Sequence, residues 1–107
     1  QLRHAREAAE RFGAVVLLKG RHTLVAAPDG RVRVTTVGPP WLATAGAGDV
    51  LAGLCGALLA AGLDPFDAGS AGSWLHGAAA ALASAGGPLR APDVAAALPE
   101  ACRLLLS

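Results

Sequence analysis

Residues 44–49 constrain the fold of this chain most strongly, because small residues lead directly into an apolar helical run. They read Thr-Ala-Gly-Ala-Gly-Asp, and Val50 opens the apolar segment. Gly46 and Gly48 can adopt backbone angles that are closed to other residues, and successive N–H groups there can converge on an anion at the positive end of the next helix. The stretch therefore predicts a turn into a helix N-terminus, with a phosphate site beside Asp49.

Length and composition predict one globular domain. The chain has 107 residues, of which 53% are hydrophobic and 16% charged, so it can bury a modest core. Nine Lys and Arg balance eight Asp and Glu and the arginines are scattered, so we expect no basic face for nucleic acid or acidic lipid. The longest apolar run, residues 50–63, contains three glycines and is shorter than the roughly twenty residues that cross a bilayer. We expect a cytoplasmic protein without membrane association.

Cysteine and histidine usage argues against both a disulfide framework and a structural metal. Cys55 and Cys102 lie in apolar helical segments, which suits buried thiols in a reducing compartment. The three histidines are dispersed and the cysteines are not paired, so metal-ligand spacing is absent. The chain begins at Gln1 and contains no methionine, so we expect a piece of a longer protein, in which a shared site would be half present.

Hydrophobic periodicity in the first third predicts α/β organisation. Residues 2–12 form an amphipathic pattern that Gly13 ends, which predicts a surface helix. Residues 14–18 are a continuous apolar run of the kind that is buried on both faces of a parallel sheet. Residues 23–26 and 31–35 flank a Pro-Asp-Gly turn and predict a hairpin with one solvated face.

The rest of the chain predicts helices. A first helix is expected over residues 50–61, with a glycine stop after it. Asp64 is a predicted N-cap that opens a second helix running to residues 86–88. Pro92 and Pro99 each suit a helix start, which predicts two short helices at the end.

Two segments and one histidine could carry chemistry. Asp49 either complements the helix dipole, worth about 0.3–1 kcal/mol, or takes a proton from a hydroxyl while the amides of Gly46, Ala47 and Gly48 hold a phosphoryl group. His76, among alanines, is more simply a buried histidine satisfied by a carbonyl than a catalytic one. Five residues at the end of the first apolar strand form either a ligand site or an ordinary polar turn: Lys19, Gly20, Arg21, His22 and Thr23.

These motifs together resemble the ATP- or ADP-dependent NAD(P)H-hydrate dehydratase family. The resemblance rests on Lys19-Gly20-x-x-Thr23, the hairpin, the Gly-Pro at residues 38–39, the run at 43–53, and the helical segments at 60–65 and 75–79. Members of this family have a ribokinase-like three-layer α/β/α fold. The resemblance implies that residues 1–107 are the C-terminal part of one such nucleotide-binding domain.

The resemblance also implies a reaction and a set of site residues. Family members repair hydrated NADH or NADPH by phosphorylating its hydroxyl and eliminating phosphate, with ADP or ATP as co-substrate and Mg²⁺ to offset charge. Gly48 would then contact the nucleotide phosphates and Asp49 the hydrated nicotinamide, and homo-oligomers are expected. The predicted nucleotide contacts are Lys19, Gly20, Arg21, His22 and Thr23.

Two other functions remain open at this point. The family usually has Gly and Ser where this chain has Ala45 and Ala47, and the quartet at residues 46–49 is closer to that of sugar kinases of the same superfamily. A small-molecule kinase is therefore the first alternative, and a hydroxymethylthiazole kinase fits less well because that family typically has cysteine in place of Asp49. The second alternative is a catalytically incomplete nucleotide-binding fragment.

Overall fold

The computed structural model describes residues 1–19, 22–36, 46–84 and 90–106. Within these ranges four helices and three strands follow one another: α1 (Leu2–Phe12), β1 (Val16–Leu18), β2 (Thr23–Ala26), β3 (Val32–Thr35), α2 (Ala47–Ala60), α3 (Pro65–Ser84) and α4 (Ala91–Leu106).

The predicted first helix and its stop are confirmed. Ala5 and Ala9 form the buried stripe of α1, whereas its charged residues face solvent. Gly13 ends the helix with a left-handed φ of 60°, and its N–H donates to the Ala9 carbonyl. α1 packs against Ala26 and its neighbours on one face of the sheet.

The sheet is antiparallel, in the order β1-β2-β3. The predicted hairpin is confirmed: Leu24 lies opposite Val34, and Gly30 closes the turn with a φ of 96°. The expectation of a parallel sheet for residues 14–18 was wrong for the described residues. Among the described residues β1 pairs with β2 alone and antiparallel, and all three of its residues are only half-buried. A run of apolar residues indicates that a strand is buried, but it does not determine whether the neighbouring strand is parallel or antiparallel.

Helices cover both faces of this sheet. α1 contacts the face that carries Val16 and Ala26, whereas Phe66 of α3 packs with Val25 and Leu17 from the opposite face. The alternation of side chains along each strand accounts for these two faces. The fold class is therefore the expected α/β arrangement, of which this chain forms a part.

The hairpin is held against the start of α3 by charge as well as packing. Arg31 and Arg33 both stack their guanidinium groups 4.6 Å from the centre of the Phe66 ring. Arg33 Nη1 also lies 3.1 Å from Asp67 Oδ1 in the first turn of the helix. The N-terminus of α3 is thereby placed over the hairpin.

Helix boundaries in the second half agree with the sequence in part. Gly62, with a φ of 102°, stops the chain after α2, as predicted. The Asp64 carboxylate accepts the Asp67 N–H at 2.9 Å, which is the predicted N-cap of α3. α3 is described to Ser84, and its predicted end at residues 86–88 lies outside the described residues.

The prediction of two short C-terminal helices was wrong. α4 is one helix with Pro99 inside it. A proline removes one backbone hydrogen bond and strains the preceding turn. Here Val94 and Ala101 are fully buried on either side of it, in the same cluster as Leu75 of α3, so packing holds both halves of α4 on one axis.

Small residues allow α3 to lie at the centre of the core. A Cβ on Gly72 would lie 2.7 Å from Cys55 Sγ of α2, and a Cβ on Gly69 would lie 3.1 Å from Val25 Cγ1 of β2. These approaches bring α2 and the sheet close to neighbouring positions on one face of α3. Within the described ranges, each helix is too short or too polar to span a membrane.

Candidate functional site

The first turn of α2 has the geometry of an anion-binding helix N-terminus. Gly46 is its N-cap residue, with a left-handed φ of 86°, and a Cβ there would lie 3.2 Å from the Ala91 Cβ. Glycine is thus required at this position for both backbone and space. The expectation of an unusual backbone angle at Gly48 was wrong, since this residue has no positive φ and belongs to the helix. The helix begins at Ala47, three residues before the predicted Val50.

The amides of this turn divide into two groups. The Asp49 and Val50 N–H groups donate to the Gly46 carbonyl at 3.1 and 3.2 Å. The N–H groups of Ala47 and Gly48 precede the first possible intrahelical bond, so the helix geometry leaves them without a partner inside the helix. Ala47 is fully buried and Gly48 is exposed. Gly48 is the residue of this turn at which a ligand can approach the backbone.

Asp49 is the aspartate that the described structure leaves unused. It is exposed in the first turn of α2, and its carboxylate has no hydrogen bond or ion pair among the described residues. The other four aspartates all have structural partners: Asp29 with Arg31, Asp67 with Arg33, Asp93 with Arg90, and Asp64 as the cap of α3. An unpaired carboxylate beside a helix N-terminus is available to a ligand.

The second predicted segment is described in part. Lys19 is exposed directly after β1, His22 is exposed, and Thr23 is the half-buried first residue of β2. Gly20 and Arg21 lie outside the described residues, as does Ala45. The nucleotide contacts of the whole segment stay predictions from the sequence.

His76 is a buried histidine whose pKa is affected by residues of both segments, the one after β1 and the first turn of α2. It lies on the buried face of α3 with 1% of its surface exposed, and it is the largest fully buried side chain in the described core. Burial lowers the pKa of the imidazole, the charge of Lys19 lowers it further, and a hydrogen bond with the Ala47 backbone acts in the opposite direction. The pKa of this ring is therefore affected by both Lys19 and the first residue of α2, which are far apart in sequence.

The environment of His76 differs from the prediction of a buried histidine that is simply satisfied by a carbonyl. Its Nε2 is buried and has no hydrogen-bond partner among the described residues. Such a group costs about 1–3 kcal/mol in a protein interior. The Ala47 backbone raises the pKa of the ring, and a buried Nε2 without a partner was not anticipated.

An open cleft between β3 and α3 was not predicted from the sequence. Its volume is about 420 Å³. It is lined by Arg33, Val34, Thr35, Thr36, Ser70 and Trp74. The signal that could have indicated it is Trp74, a large aromatic residue in a helix rich in alanine and glycine, which is 36% exposed.

The donor groups of the described residues decide how a cation could bind. No three His, Cys, Asp or Glu side chains come together within the described ranges. Mg²⁺ keeps several waters and takes one or two carboxylates together with ligand phosphates. A Mg²⁺ ion at this site would therefore be held mainly by phosphate oxygens and water, rather than by a cage of described side chains.

Comparison with known proteins gives consistent matches over most of the chain. A family model described as NAD(P)H-hydrate dehydratase matches residues 1–99. The ADP-dependent (S)-NAD(P)H-hydrate dehydratase of Neisseria meningitidis is 49% identical over 94 residues, 88% of this chain and 32% of that protein. The bifunctional NAD(P)H-hydrate repair enzyme Nnr of Mycobacterium leprae is 47% identical over 103 residues, 95% of this chain and 22% of that protein.

A solved structure agrees with these relatives. The ADP/ATP-dependent NAD(P)H-hydrate dehydratase from Bacillus subtilis, co-crystallised with ATP and Mg²⁺, superposes with a TM-score of 0.89 and 32% identity. The match covers 96% of this chain and 38% of that one. The chain thus spans about a third or less of the two curated relatives.

Proposed function

The chain belongs to the NAD(P)H-hydrate dehydratase family, and we propose that residues 1–107 are the C-terminal part of a domain that repairs hydrated NADH and NADPH. The first turn of α2 supports this proposal most directly. It combines the left-handed Gly46, the exposed backbone of Gly48 and the unpaired carboxylate of Asp49. A phosphate-binding backbone turn and a base are thereby adjacent at the start of one helix.

In the proposed reaction Asp49 accepts the proton of the ring hydroxyl. The hydroxyl oxygen forms a bond to the terminal phosphorus of ADP or ATP, and the bond from that phosphorus to the nucleotide's bridging oxygen breaks. The amides of Gly46, Ala47 and Gly48 stabilise the charge on the phosphoryl oxygens. Phosphate then leaves with the C–O bond electrons while the neighbouring ring carbon loses a proton, which restores the double bond.

Nucleotide binding is assigned to both segments. Lys19 supplies a cation directly after β1, and its charge lowers the pKa of His76 on α3. The remaining proposed nucleotide contacts are Gly20, Arg21, His22, Thr23 and Gly48. Mg²⁺, held by the phosphate oxygens with Asp49 nearby, would neutralise part of their charge.

Calorimetry and an absorbance assay test this function. In a dehydratase that contains the chain, we expect ADP or ATP to bind and hydrated NADH to be converted to NADH with release of one phosphate for each molecule repaired. Formation of a stable phosphorylated alcohol would instead identify a small-molecule kinase. Absence of binding by both nucleotides would contradict the proposal. A homo-oligomer remains our prediction, for which sedimentation is the test.

The limited coverage favours a second possibility for the 107 residues alone. They match only 22–38% of the relatives' lengths, so part of the substrate pocket would come from other residues. The isolated chain would then be a nucleotide-binding part without turnover.

A further inference from the structure

The exposed surface of α2 differs from those of α1 and α4. Leu59 keeps 46% of its surface exposed, and Leu63 directly after the helix keeps 36%. By contrast, α1 and α4 present charged residues to solvent, such as Glu7 and Glu100. Every exposed residue of α2 beyond its first turn is apolar, and these six residues are named the apolar face: Ala52, Gly53, Gly56, Ala57, Leu59 and Ala60. A helix that is apolar on all sides is normally buried on all sides.

The other side of α2 is already packed. Val50 and Leu54 lie against the core cluster that contains Leu75 of α3 and Val94 of α4. These contacts use the side of α2 that faces the two later helices. The described residues therefore cover one side of α2 and leave the apolar face open.

Asp49 shares a row with this face. Asp49, Gly53, Gly56 and Ala60 follow one another at intervals of four, three and four residues, which places them along one line of the helix. The carboxylate at the start of that row has no partner among the described residues. A partner that covers the row therefore also lies beside Asp49.

The relatives indicate which partner this is. The Bacillus subtilis dehydratase superposes on 96% of this chain with a TM-score of 0.89, yet the match covers only 38% of that protein. The larger part of such a protein lies outside these 107 residues and has to contact them. Permanent contacts are more apolar than transient ones, and the apolar face carries no charge. It therefore suits a permanent contact with that missing part.

We propose that the apolar face of α2 is the docking surface for the remaining part of the dehydratase domain, which covers it with apolar side chains and encloses the site beside Asp49. This inference rests on the proposed function, because it takes the partner from the family of the chain. It adds the surface through which water is excluded from Asp49. A thiol or a charge introduced on the apolar face should then behave as a buried group.

Cysteine labelling in a dehydratase that contains this chain tests the covering directly. Ala60→Cys lies on the apolar face. Ala96→Cys is the matched control, since Ala96 is an exposed alanine of α4 on the same side as Asp93 and Glu100. Ala60→Cys should react with a maleimide about tenfold more slowly than Ala96→Cys, because a covered thiol is less accessible. Mass spectrometry of the labelled peptides measures both rates, and equal rates overturn the proposal.

Gly56→Lys in the same dehydratase gives an independent result through stability. On a helix face in water this change should raise the melting temperature, because lysine favours the helix more than glycine does. On a covered face the buried ammonium should instead lower it by about 5 °C or more and reduce turnover. Gly56→Ala adds only a methyl group and should keep wild-type turnover. An unchanged or raised melting temperature in Gly56→Lys overturns the proposal, whereas failure of this variant alone to fold supports it.

Dilution distinguishes the remaining part of the domain from a second copy of the protein. Protection of Ala60→Cys that persists where sedimentation shows a monomer supports the proposal. Loss of protection on dilution assigns the apolar face to another copy and overturns it. If the thiol is protected but hydrated NADH is not repaired, the proposed function fails while the docking surface stands.

Discussion

Asp49 is the one aspartate whose carboxylate has no structural partner among the described residues. The remaining four pair with arginines or cap a helix, and the pKa values of Asp29, Asp64 and Asp93 are lowered first of all by backbone N–H groups that their carboxylates accept. Asp49 lacks such a partner among the described residues. A free carboxylate at a helix N-terminus suits a base that must exchange protons with a ligand.

Asp49→Asn should abolish turnover and change the Kd for ADP by no more than about threefold, because the carboxylate serves the substrate rather than the phosphates. Initial rates and calorimetry on the same preparation measure the two effects. Asp67→Asn, which alters an acidic residue in the first turn of α3, is the control and should retain activity. Equal loss of binding and turnover in Asp49→Asn would refute this division of roles.

The substitution Gly48→Ala tests whether the ligand approaches the backbone at this residue, because it should weaken binding without impairing folding. A Cβ at Gly48 meets nothing within 4 Å among the described residues, so the variant should fold with a stability equal to wild type or up to about 1 kcal/mol higher. ADP binding should weaken by about tenfold, because the methyl group occupies the path of the phosphates. Gly56→Ala, equally unobstructed on the same helix, should bind normally. Normal binding by Gly48→Ala would exclude close backbone contact there.

The burial of His76 also predicts a pH dependence of stability. Its pKa in the folded protein lies below the ordinary histidine value of about 6.5, so the unfolded chain takes up a proton first as the pH falls. This contribution to stability is present above about pH 6.5 and is lost as the pH falls through the native pKa. Thermal unfolding between about pH 7.5 and 5 should show a smaller decline for His76→Leu than for wild type. His4→Gln, at an exposed site on α1, is the control, and parallel curves for all three proteins would contradict the prediction.

At the scale of elements, the helices pack closely because glycine and alanine remove bulk at their crossings. Gly72 of α3 lies against Cys55 of α2, whose thiol has a pKa raised by burial. The first turn of α2 also carries the candidate site. The separation of these two helices therefore affects both the core and the candidate site.

Gly72→Ala should destabilise the protein by about 1–3 kcal/mol, because the new Cβ would lie 2.7 Å from the Cys55 sulfur. Cys55→Ala removes that sulfur, so the double variant should be more stable than the sum of the two single changes implies. Urea unfolding of the four proteins measures this coupling. Gly53→Ala on α2 has open space and should show no such cost. Strict additivity would mean that the crossing relaxes in another way.

At the scale of the whole molecule, the family resemblance is confirmed, but the chain covers only 32% of its Neisseria relative. The described sheet has only three strands, and β1 pairs on one side alone among the described residues. The relatives therefore contain residues beyond those that match this chain, and we propose that some of these residues extend the sheet at β1.

The 107-residue chain by itself should therefore give no measurable repair of hydrated NADH. A chimera that joins it to the part of the Neisseria relative left uncovered by the match should recover activity, because the missing walls of the pocket are supplied. The coupled absorbance assay compares the two proteins. Full activity of the chain alone would show that its own residues complete the site.

Local patterns in the sequence determined most elements and the residue types of the candidate site. Helix α1, the hairpin, the Gly62 stop and the Asp64 cap depend on near neighbours, and so does a glycine turn before Asp49. Only the tertiary structure decided that α4 continues through Pro99 and that β1 has an antiparallel neighbour, because both depend on packing against distant residues. It also decided that His76 is buried and that Lys19 and the Ala47 backbone affect its pKa. Residues so far apart in sequence share no local pattern, so these effects arise only in the folded chain.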